Sequence, residues 1–409
     1  MTRTTRNDPN GGRDGRSSTG YLVRFIEGMW TEPGPRPGGR PGGTGCFGRP
    51  VRAPSNVVTL RKGGSFVSRF MKIIVAACLV APLAAFAAEE KPLAIGPVNV
   101  SGMLDAYFTL NLDQDQTYVN PVRSYDGSPG FHFNMAEVSF SMEAKPAGFR
   151  LDLVYGPEGE AAGNFLVLQG YASFKLGPTT VDFGRFVTPA GFELYESTGN
   201  WLYTRGLVYT WALPATHTGV RVGYAVNDQL TVTGYFTNGS DLQTSDDFEE
   251  SPYKTGIVSA VWANDDTSVA VNAFYTKPPG TVDESGFLLD VVASRSFGAL
   301  SVSVSGDYGS MFDASWTALG ANVKYDVNDK LSVAGRFEYF DDQDGLRTGT
   351  GPDGLALWDL TAGATYQVGK HAALKAELRY DKADADIFGP PTDPNDSAIT
   401  AHLAALASF

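Results

Sequence analysis

Cysteine is nearly absent from this sequence, with two residues in 409. Both, Cys46 and Cys78, precede Ala88, so the chain beyond that point has no disulfide, thiolate metal ligand or cysteine nucleophile. Histidine is also scarce, and no two of its four residues have metal-ligand spacing. No Gly-x-Ser-x-Gly elbow and no phosphate-binding loop occurs. These absences predict a protein that is not an enzyme and that uses no cofactor or metal.

Positive charge is scarce beyond Ala88, where 19 Lys and Arg residues stand against 41 Asp and Glu residues. An acidic surface repels phosphate groups, which argues against a nucleic-acid partner. The same part of the chain has no apolar run approaching 18 residues, so membrane-spanning helices are not expected.

The N-terminal part differs sharply in composition. Residues 1–70 are rich in Arg, Gly and Pro and cannot bury enough apolar surface to fold. We interpret them as a disordered, non-native extension from an over-extended gene start; the alternative is a basic, nucleic-acid-binding arm.

Residues 71–87 combine a basic start, an apolar run and the A-x-A site Ala85-Phe86-Ala87, which predicts a cleavable signal peptide and a barrel domain over residues 88–409. A lipoprotein box ending at Cys78 is disfavoured, because the apolar run before it is too short.

From Val98 onward, apolar and polar residues alternate with period two, as in Ser301-Val-Ser-Val-Ser305. The turn segment Tyr224-Ala-Val-Asn-Asp-Gln-Leu230 returns as Tyr325-Asp-Val-Asn-Asp-Lys-Leu331, a signature of β-hairpins. The pattern predicts sixteen strands over residues 98–112, 132–145, 149–156, 165–176, 179–187, 216–226, 229–238, 253–263, 267–277, 286–297, 299–309, 314–326, 329–341, 356–368, 371–383 and 397–409.

Tight turns and longer loops rich in Gly, Asp and Pro alternate between the predicted strands. This plan predicts an all-β fold, a transmembrane antiparallel up-and-down β-barrel with short periplasmic turns and long external loops. The alternatives are a sandwich, which rarely keeps that alternation, and a propeller, which needs a blade-length repeat. The chain ends in an alternating strand that closes on Phe409. Such an ending resembles the signal read by the bacterial outer-membrane assembly machinery, which makes that machinery an expected partner.

Charged residues occupy the polar parity of the predicted strands, which faces the lumen of such a barrel. Burying so many ions in a dry interior would cost several kcal/mol each, so we expect a wet lumen with a weak cation preference. The alternative is cross-strand pairing that plugs a closed barrel.

Arg185 is a charged residue that does not follow this parity, because it shares the parity of the lipid-facing Phe183. Either it lies above the apolar band or a bulge shifts the register. The basic members of the polar parity are Arg150, Lys175, Arg221, Lys324, Arg336, Lys375 and Arg379. The acidic members are Asp105, Glu137, Glu143, Asp152, Asp182, Asp290, Asp307, Asp326, Glu338, Asp359, Glu377 and Asp381.

The longest connection, residues 188–215, is unusually aromatic for an exposed loop. We expect it to fold inward against the barrel wall, so that Glu193, Glu196 and Arg205 meet at the narrowest point. The alternatives are an external cap and a subunit interface. The predicted constriction consists of Glu193, Glu196, Arg205, Arg221, Arg336, Arg379, Glu338 and Asp307.

Three segments here resemble one family: Gly184-Arg-Phe-Val-Thr-Pro-Ala-Gly-Phe-Glu193, Gly199-Asn-Trp-Leu-Tyr-Thr-Arg205 and Leu213-Pro-Ala-Thr-His-Thr-Gly219. They resemble the OmpL-like β-barrel porins of Gram-negative bacteria, and the resemblance spans the mature chain. It implies an outer-membrane channel for passive diffusion of small hydrophilic solutes or ions, without naming the solute. It also implies contact with outer-membrane lipid and lipopolysaccharide and, by analogy with general porins, a homo-oligomer such as a trimer. The alternative function is a non-conducting structural or adhesive barrel with functional external loops.

Overall fold

A computed structural model describes residues 93–156, 166–239, 254–277 and 285–409. The predicted extension over residues 1–70 and the predicted signal peptide over residues 71–87 lie outside the described residues. The described residues belong to one compact unit.

Sixteen long antiparallel strands, together with one short strand, form a single closed sheet. The short strand, β1, spans Ala94–Ile95 and pairs with the start of β2. The long strands are β2 (Val98–Asn111), β3 (Gly130–Met142), β4 (Ala147–Tyr155), β5 (Leu166–Leu176), β6 (Thr179–Val187), β7 (Thr216–Ala225), β8 (Leu230–Asn238), β9 (Lys254–Ala263), β10 (Thr267–Lys277), β11 (Gly286–Phe297), β12 (Leu300–Met311), β13 (Ala314–Asp326), β14 (Leu331–Asp342), β15 (Leu355–Gln367), β16 (Ala372–Ala383) and β17 (Ser397–Ser408).

Each strand pairs with its neighbours in sequence, and the last long strand pairs with the first. The closing register sets Thr400 opposite Asn111 and Ser408 opposite Met103. Closure gives both edges of each of the sixteen long strands described here a hydrogen-bonding partner, which a hydrocarbon environment requires. The predicted sixteen-stranded up-and-down barrel is therefore confirmed.

Connection lengths follow the predicted alternation with one difference. The connection between β12 and β13 is at the long-loop end of the barrel, yet it contains only Phe312 and Asp313. Both residues have positive φ, 53° and 63°, which is the backbone of a two-residue hairpin turn. Asp313 is a residue that tolerates positive φ, whereas Phe312 is not, so the sequence marks this turn only weakly.

Side chains alternate between the two faces as the period-two pattern requires. On β14, Phe337 is 48% exposed, whereas Arg336 and Glu338 beside it are 1% and 2% exposed. On β16, Leu378 is exposed and Arg379 is fully buried. The apolar parity therefore covers the outside, and the charged parity faces the interior.

Arg185 departs from this alternation. It is only 7% exposed, although Phe183 on the same parity is 68% exposed. Pairing between β4 and β5 shifts by one residue at Leu168, and Gly184 adopts φ 143°. A Cβ on Gly184 would lie 2.2 Å from the carbonyl oxygen of Gly170, so only glycine fits there. The bulge and this glycine mark the irregular stretch of backbone that accompanies the burial of Arg185.

Helical structure is limited in the described residues to a single π-helical turn, Val208–Ala212, within the longest connection. None of the helices described is long and apolar enough to cross a membrane.

Candidate functional site

The connection between β6 and β7, residues 188–215, is called the inner loop. Its residues Tyr203, Leu207 and Ala212 are at most 1% exposed, although they belong to no strand. The indole N–H of Trp316, on β13, donates to the carbonyl oxygen of Ala212 at 3.1 Å. The inner loop thus packs on the inward-facing side chains of the wall, and the external cap considered from the sequence is not what the structure has.

Arg336, on β14, joins the wall to the inner loop. Its Nη1 donates to Glu193 Oε1 at 2.7 Å and to the carbonyl oxygen of Thr204 at 2.6 Å. Its Nε donates to Asp359 Oδ1, on β15, at 3.3 Å. The guanidinium is completely buried, so these acceptors replace its hydration.

Two basic side chains of β16 donate hydrogen bonds to backbone carbonyl oxygens of the inner loop. Arg379 Nε donates to Asp381 Oδ1 at 2.7 Å, and its Nη1 donates to the carbonyl oxygen of Arg205 at 2.6 Å. Lys375 Nζ donates to the carbonyl oxygens of Ser197 at 2.8 Å and Asn200 at 2.5 Å. A cation held by backbone carbonyls fixes the path of the loop.

Acidic side chains of the wall accept hydrogen bonds from backbone N–H groups of the inner loop. Glu377 accepts the backbone N–H of Tyr203 at 2.7 Å, and Glu338 accepts that of Val208 at 3.1 Å. A Cβ on Gly206 would lie 2.0 Å from a carboxylate oxygen of Glu338, so this close approach needs glycine. Wall carboxylates therefore supply partners for N–H groups that lie outside any regular ladder.

Arg205 is bound within the inner loop itself. Its guanidinium donates to Ser197 Oγ at 2.9 Å and to the carbonyl oxygens of Tyr203 and Tyr195. It also lies over the ring of Tyr125, 5.3 Å from the centroid. Arg205 therefore shapes the loop and does not face open space.

A second connection, residues 112–129 between β2 and β3, also enters the interior. Arg123 Nη2 donates to Thr400 Oγ1 at 3.0 Å and lies 2.6 Å from His402 Nε2, both on β17. Its Nη1 is 3.6 Å from Asp126 Oδ2. Burial, the largest single influence, would raise the pKa of Asp126, but the combined positive charges around it, with Arg123 the strongest, hold that pKa below its usual range.

Charged side chains on β4 and β7 are more exposed than the buried arginines on β14 and β16. We call this part of the wall the open side. Arg150 on β4 binds Asp152 at 2.7 Å, yet 39% of its side chain is exposed. Arg221 on β7 binds Asp182 at 2.7 Å and is 21% exposed. Its guanidinium carbon lies 4.8 Å from the ring centroid of Tyr171, so its flat face is stacked while its edge reaches solvent.

Glu196 is the loop carboxylate that faces this open side. It is partly exposed and has no ion pair within 4.0 Å in the part of the chain that the structure describes. It is close enough to Glu137 and Arg150 to interact electrostatically with both. Glu193, in contrast, is held by Arg336 and by the backbone N–H of Gly206 at 2.6 Å.

The eight predicted constriction residues thus occupy three settings. Arg336, Arg379, Glu338, Glu193 and Arg205 belong to the buried contacts between the inner loop and the wall. Glu196 and Arg221 border the open side. Asp307, on β12, is buried at the wall.

Sequence reasoning did not find Arg123 and Asp126. The connection that carries them has no periodicity and no repeated motif, so no signal in the sequence marks them as interior residues. Within residues 93–156, 166–239, 254–277 and 285–409, no group of three or more His, Cys, Asp or Glu residues is suited to a metal ion.

A family model described as "Putative beta-barrel porin-2, OmpL-like" matches residues 97–409, which is the whole barrel. The chain belongs to this family. The family resemblance inferred from the three motifs is therefore confirmed, and the porin family together with the barrel indicates an outer-membrane channel protein. No curated protein matches this OmpL-like chain.

Solved structures similar to this OmpL-like porin are outer-membrane barrels. An anion-selective porin from Comamonas acidovorans has 13% identity and a TM-score of 0.54, with 76% of this chain and 99% of that chain covered. OmpT of Vibrio cholerae, folded in vitro, has 14% identity and a TM-score of 0.54, with coverage of 78% and 100%. Salmonella typhi OmpF in complex with daunomycin has 13% identity and a TM-score of 0.56, with coverage of 76% and 97%. Identities this low show a shared fold, and they do not identify the solute of this chain.

Proposed function

We propose that the barrel forms a water-filled channel for passive diffusion of small hydrophilic solutes or ions across the outer membrane, with a weak preference for cations. The observation that carries this proposal is the uneven filling of the interior. Arg336 and Arg379 are sealed by the inner loop, whereas Arg150 and Arg221 keep 39% and 21% of their side chains accessible. Charged groups that stay accessible inside a barrel require water beside them. We infer that the free path runs along the part of the wall that carries Arg150 on β4 and Arg221 on β7.

Glu196 supports the preference for cations. The basic groups on the open side are each paired, Arg150 with Asp152 and Arg221 with Asp182. Among the described residues Glu196 has no ion pair within 4.0 Å, so its charge acts on mobile ions in the adjacent water. Low-dielectric walls strengthen this field, and salt screens it within about 8–10 Å near physiological ionic strength. The expected selectivity is weak and fades in concentrated salt.

Swelling of liposomes tests the solute class. Purified protein is reconstituted into vesicles that are then diluted into isosmotic solutions of neutral sugars, organic cations and organic anions of graded size. We expect uptake that falls steeply with solute size, with cations entering faster than anions of equal size at low salt. Equal exclusion of the smallest sugars and ions from vesicles with folded protein would reject the channel.

A second candidate function is a non-conducting structural or adhesive barrel. One observation favours it: a continuous apolar cluster fills part of the interior, with Leu207 and Val208 of the inner loop against Trp316, Phe340 and Leu357 of the wall. A pocket of about 30 Å³, lined in part by Phe274, Leu288 and Trp316 of the same cluster, lies beside it. The swelling assay separates the two functions, since a plugged barrel passes no solute of any size.

Export and assembly complete the proposal. We infer removal of residues 71–87 as a signal peptide, insertion by the assembly machinery through Phe409, contact with lipopolysaccharide and association into trimers. Support for the role of Phe409 comes from the barrel seam. The N–H of Phe409 donates to the carbonyl oxygen of Gly102 at 3.0 Å, and the N–H of Gly102 donates back at 3.2 Å. The aromatic side chain remains 59% exposed, so a receptor can reach it.

A further inference from the structure

Three apolar side chains of the inner loop lie at its accessible surface and are not packed against the wall. Leu194 is 50% exposed, as much as the lipid-facing Phe337 on the outside of the barrel at 48%. Phe192 and Trp201 are partly exposed, and their rings pack edge to face with centroids 4.8 Å apart. Adjacent apolar groups that stay accessible on a folded protein commonly mark a binding surface. We call Phe192, Leu194 and Trp201 the apolar patch.

Hydrogen bonds hold the two arms of the loop that carry this patch side by side. The side-chain amide of Asn200 accepts the backbone N–H of Leu194 and donates to the carbonyl oxygen of Leu194, both at 2.8 Å. Lys375 on the wall donates in turn to the carbonyl oxygen of Asn200. A Cβ on Gly199 would lie 2.5 Å from Leu194 Cδ1, so glycine lets the leucine lie close against the turn. The patch is therefore preformed, and a ligand has little ordering to impose on it.

Glu196 lies on the same accessible face of the loop as Leu194. Exposure alternates along this stretch, because Tyr195 and Ser197 are 6% and 0% exposed, whereas Leu194 is exposed and Glu196 is partly exposed. Glu196 has no ion pair within 4.0 Å among the residues that the structure describes. A carboxylate beside apolar surface is complementary to an organic ammonium ion that carries a hydrocarbon or aromatic part.

The basic groups near this surface have carboxylate partners of their own. Lys324 Nζ lies 5.9 Å from the ring centroid of Trp201 and is bound to Asp326 at 3.2 Å. Arg150, which interacts electrostatically with Glu196, has a carboxylate of its own strand at 2.7 Å. These pairs compensate the positive charges, so a cationic ligand is not excluded. Lys324 is two residues from the end of β13, so the patch faces the end of the lumen that carries the tight turns.

We propose that the apolar patch and Glu196 form a binding subsite for organic cations in which an ammonium group is joined to an aromatic or aliphatic part. The ammonium group pairs with Glu196, while the apolar part covers Leu194 and packs on the rings of Phe192 and Trp201. This inference rests on the proposed channel and names a solute class for it. Inorganic cations gain nothing from the apolar surface and pass without being held there.

Equilibrium dialysis against radiolabelled phenethylammonium measures the subsite on full-length protein refolded in detergent, with protein-free micelles as the blank. We expect saturable binding that is at least ~10-fold tighter than that of ethylammonium, which has the same charge and no ring. Leu194→Ser should weaken phenethylammonium binding about 5-fold and leave ethylammonium binding unchanged. Leu194→Met is the matched control, because it keeps the apolar surface and should bind as wild type does. Glu196→Gln should weaken phenethylammonium binding about 3-fold and leave the binding of neutral phenethyl alcohol unchanged.

Planar-bilayer recording separates failure of the subsite from failure of the channel. In a conducting barrel, phenethylammonium should reduce the current of wild type at lower concentrations than that of Leu194→Ser. Equal binding of phenethylammonium and ethylammonium, or unchanged phenethylammonium binding in Leu194→Ser with a wild-type unfolding temperature, would overturn the subsite even where current steps are normal. Saturable binding that Leu194→Ser weakens, in a protein that gives no current steps, would support the subsite and reject the channel.

Discussion

At the scale of single residues, accessibility separates two groups of charges that look alike in the sequence. The guanidinium groups of Arg336 and Arg379 are fully buried, and each meets an acid together with a carbonyl oxygen of the inner loop. Mobile ions cannot approach these groups, and their own charge is compensated at contact distance. Glu196 is partly exposed and has no ion pair with any of the residues that the structure describes. Only charges of the second kind can set the selectivity of a channel.

Changing Glu196 to Gln tests this distinction. The variant should lose about half of the wild-type preference for cations in dilute salt, because the field of one accessible carboxylate extends about 8–10 Å. Reversal potentials across a planar bilayer in a salt gradient measure the effect. In concentrated salt the variant and wild type should agree.

Glu193→Gln is the matched control, since both residues lie on the inner loop three positions apart. It should leave the reversal potential unchanged. It should instead destabilise the protein by about 1–3 kcal/mol, because Arg336 keeps its charge while losing a charged partner. A larger change in selectivity from Glu193→Gln than from Glu196→Gln would contradict the division of roles.

At the scale of elements, the inner loop is an irregular segment whose fold is set by the wall. Its backbone groups are bound by the side chains of Lys375, Glu377 and Arg379 on one strand, β16. These contacts join residues more than 170 positions apart in the sequence. The loop can therefore keep its inward path only while those buried side chains remain in place.

Arg379→Met should release part of this loop. The substitution leaves Asp359 and Asp381 buried with one cationic partner fewer, which typically costs roughly 3–5 kcal/mol. We expect lower thermal stability, new protease cleavage within residues 188–215 and larger conductance steps. Lys175→Met is the control, because Lys175 has lumen parity but is exposed near a tight turn. Arg379→Met protein with wild-type protease resistance would show that the anchor is dispensable.

Period-two alternation was sufficient to predict the sixteen strands, because each strand has one face toward lipid and one toward the lumen. It could not place the inner loop's contacts, since a loop has no period that fixes which backbone groups meet Lys375. The pattern left residues 310–313 as a connection, but it counted that connection among the longer loops and did not predict the two-residue turn with positive φ at Phe312 and Asp313. Arg185 was marked as irregular by its parity, while the bulge at Leu168 lies on the neighbouring strand, where the pattern gave no sign of it.

At the scale of the whole molecule, the barrel is a ring whose closure depends on its two ends. β17 pairs with β2, and the backbone of Phe409 extends that pairing to Gly102. A Cβ on Gly102 would lie 2.7 Å from the Phe409 ring, so glycine makes room for the aromatic group. The last residue is thus part of the seam as well as the candidate signal for assembly.

Deletion of Phe409 should lower the yield in the outer membrane and leave protein in the periplasm. Cell fractionation followed by immunoblotting measures the distribution. Phe409→Tyr keeps an aromatic ring at the C-terminus and should assemble normally. Normal insertion of the truncated chain would remove the assembly role from this residue.

The mature protein should begin at Ala88, or within one or two residues of it. N-terminal sequencing of protein extracted from outer membranes tests this prediction. Any part of residues 1–70 on the mature protein would show that the extension is a real segment of the protein.

The central claim is that the interior conducts, and planar-bilayer recording tests it most directly. Protein that has refolded into its barrel form is added to one side of a bilayer under a fixed voltage. We expect stable, stepwise increases in current that scale with salt concentration, since water reaches Arg150 and Arg221 along the open wall. Folded protein that inserts into the bilayer but gives no steps above the empty membrane would contradict the channel and establish the barrel as closed.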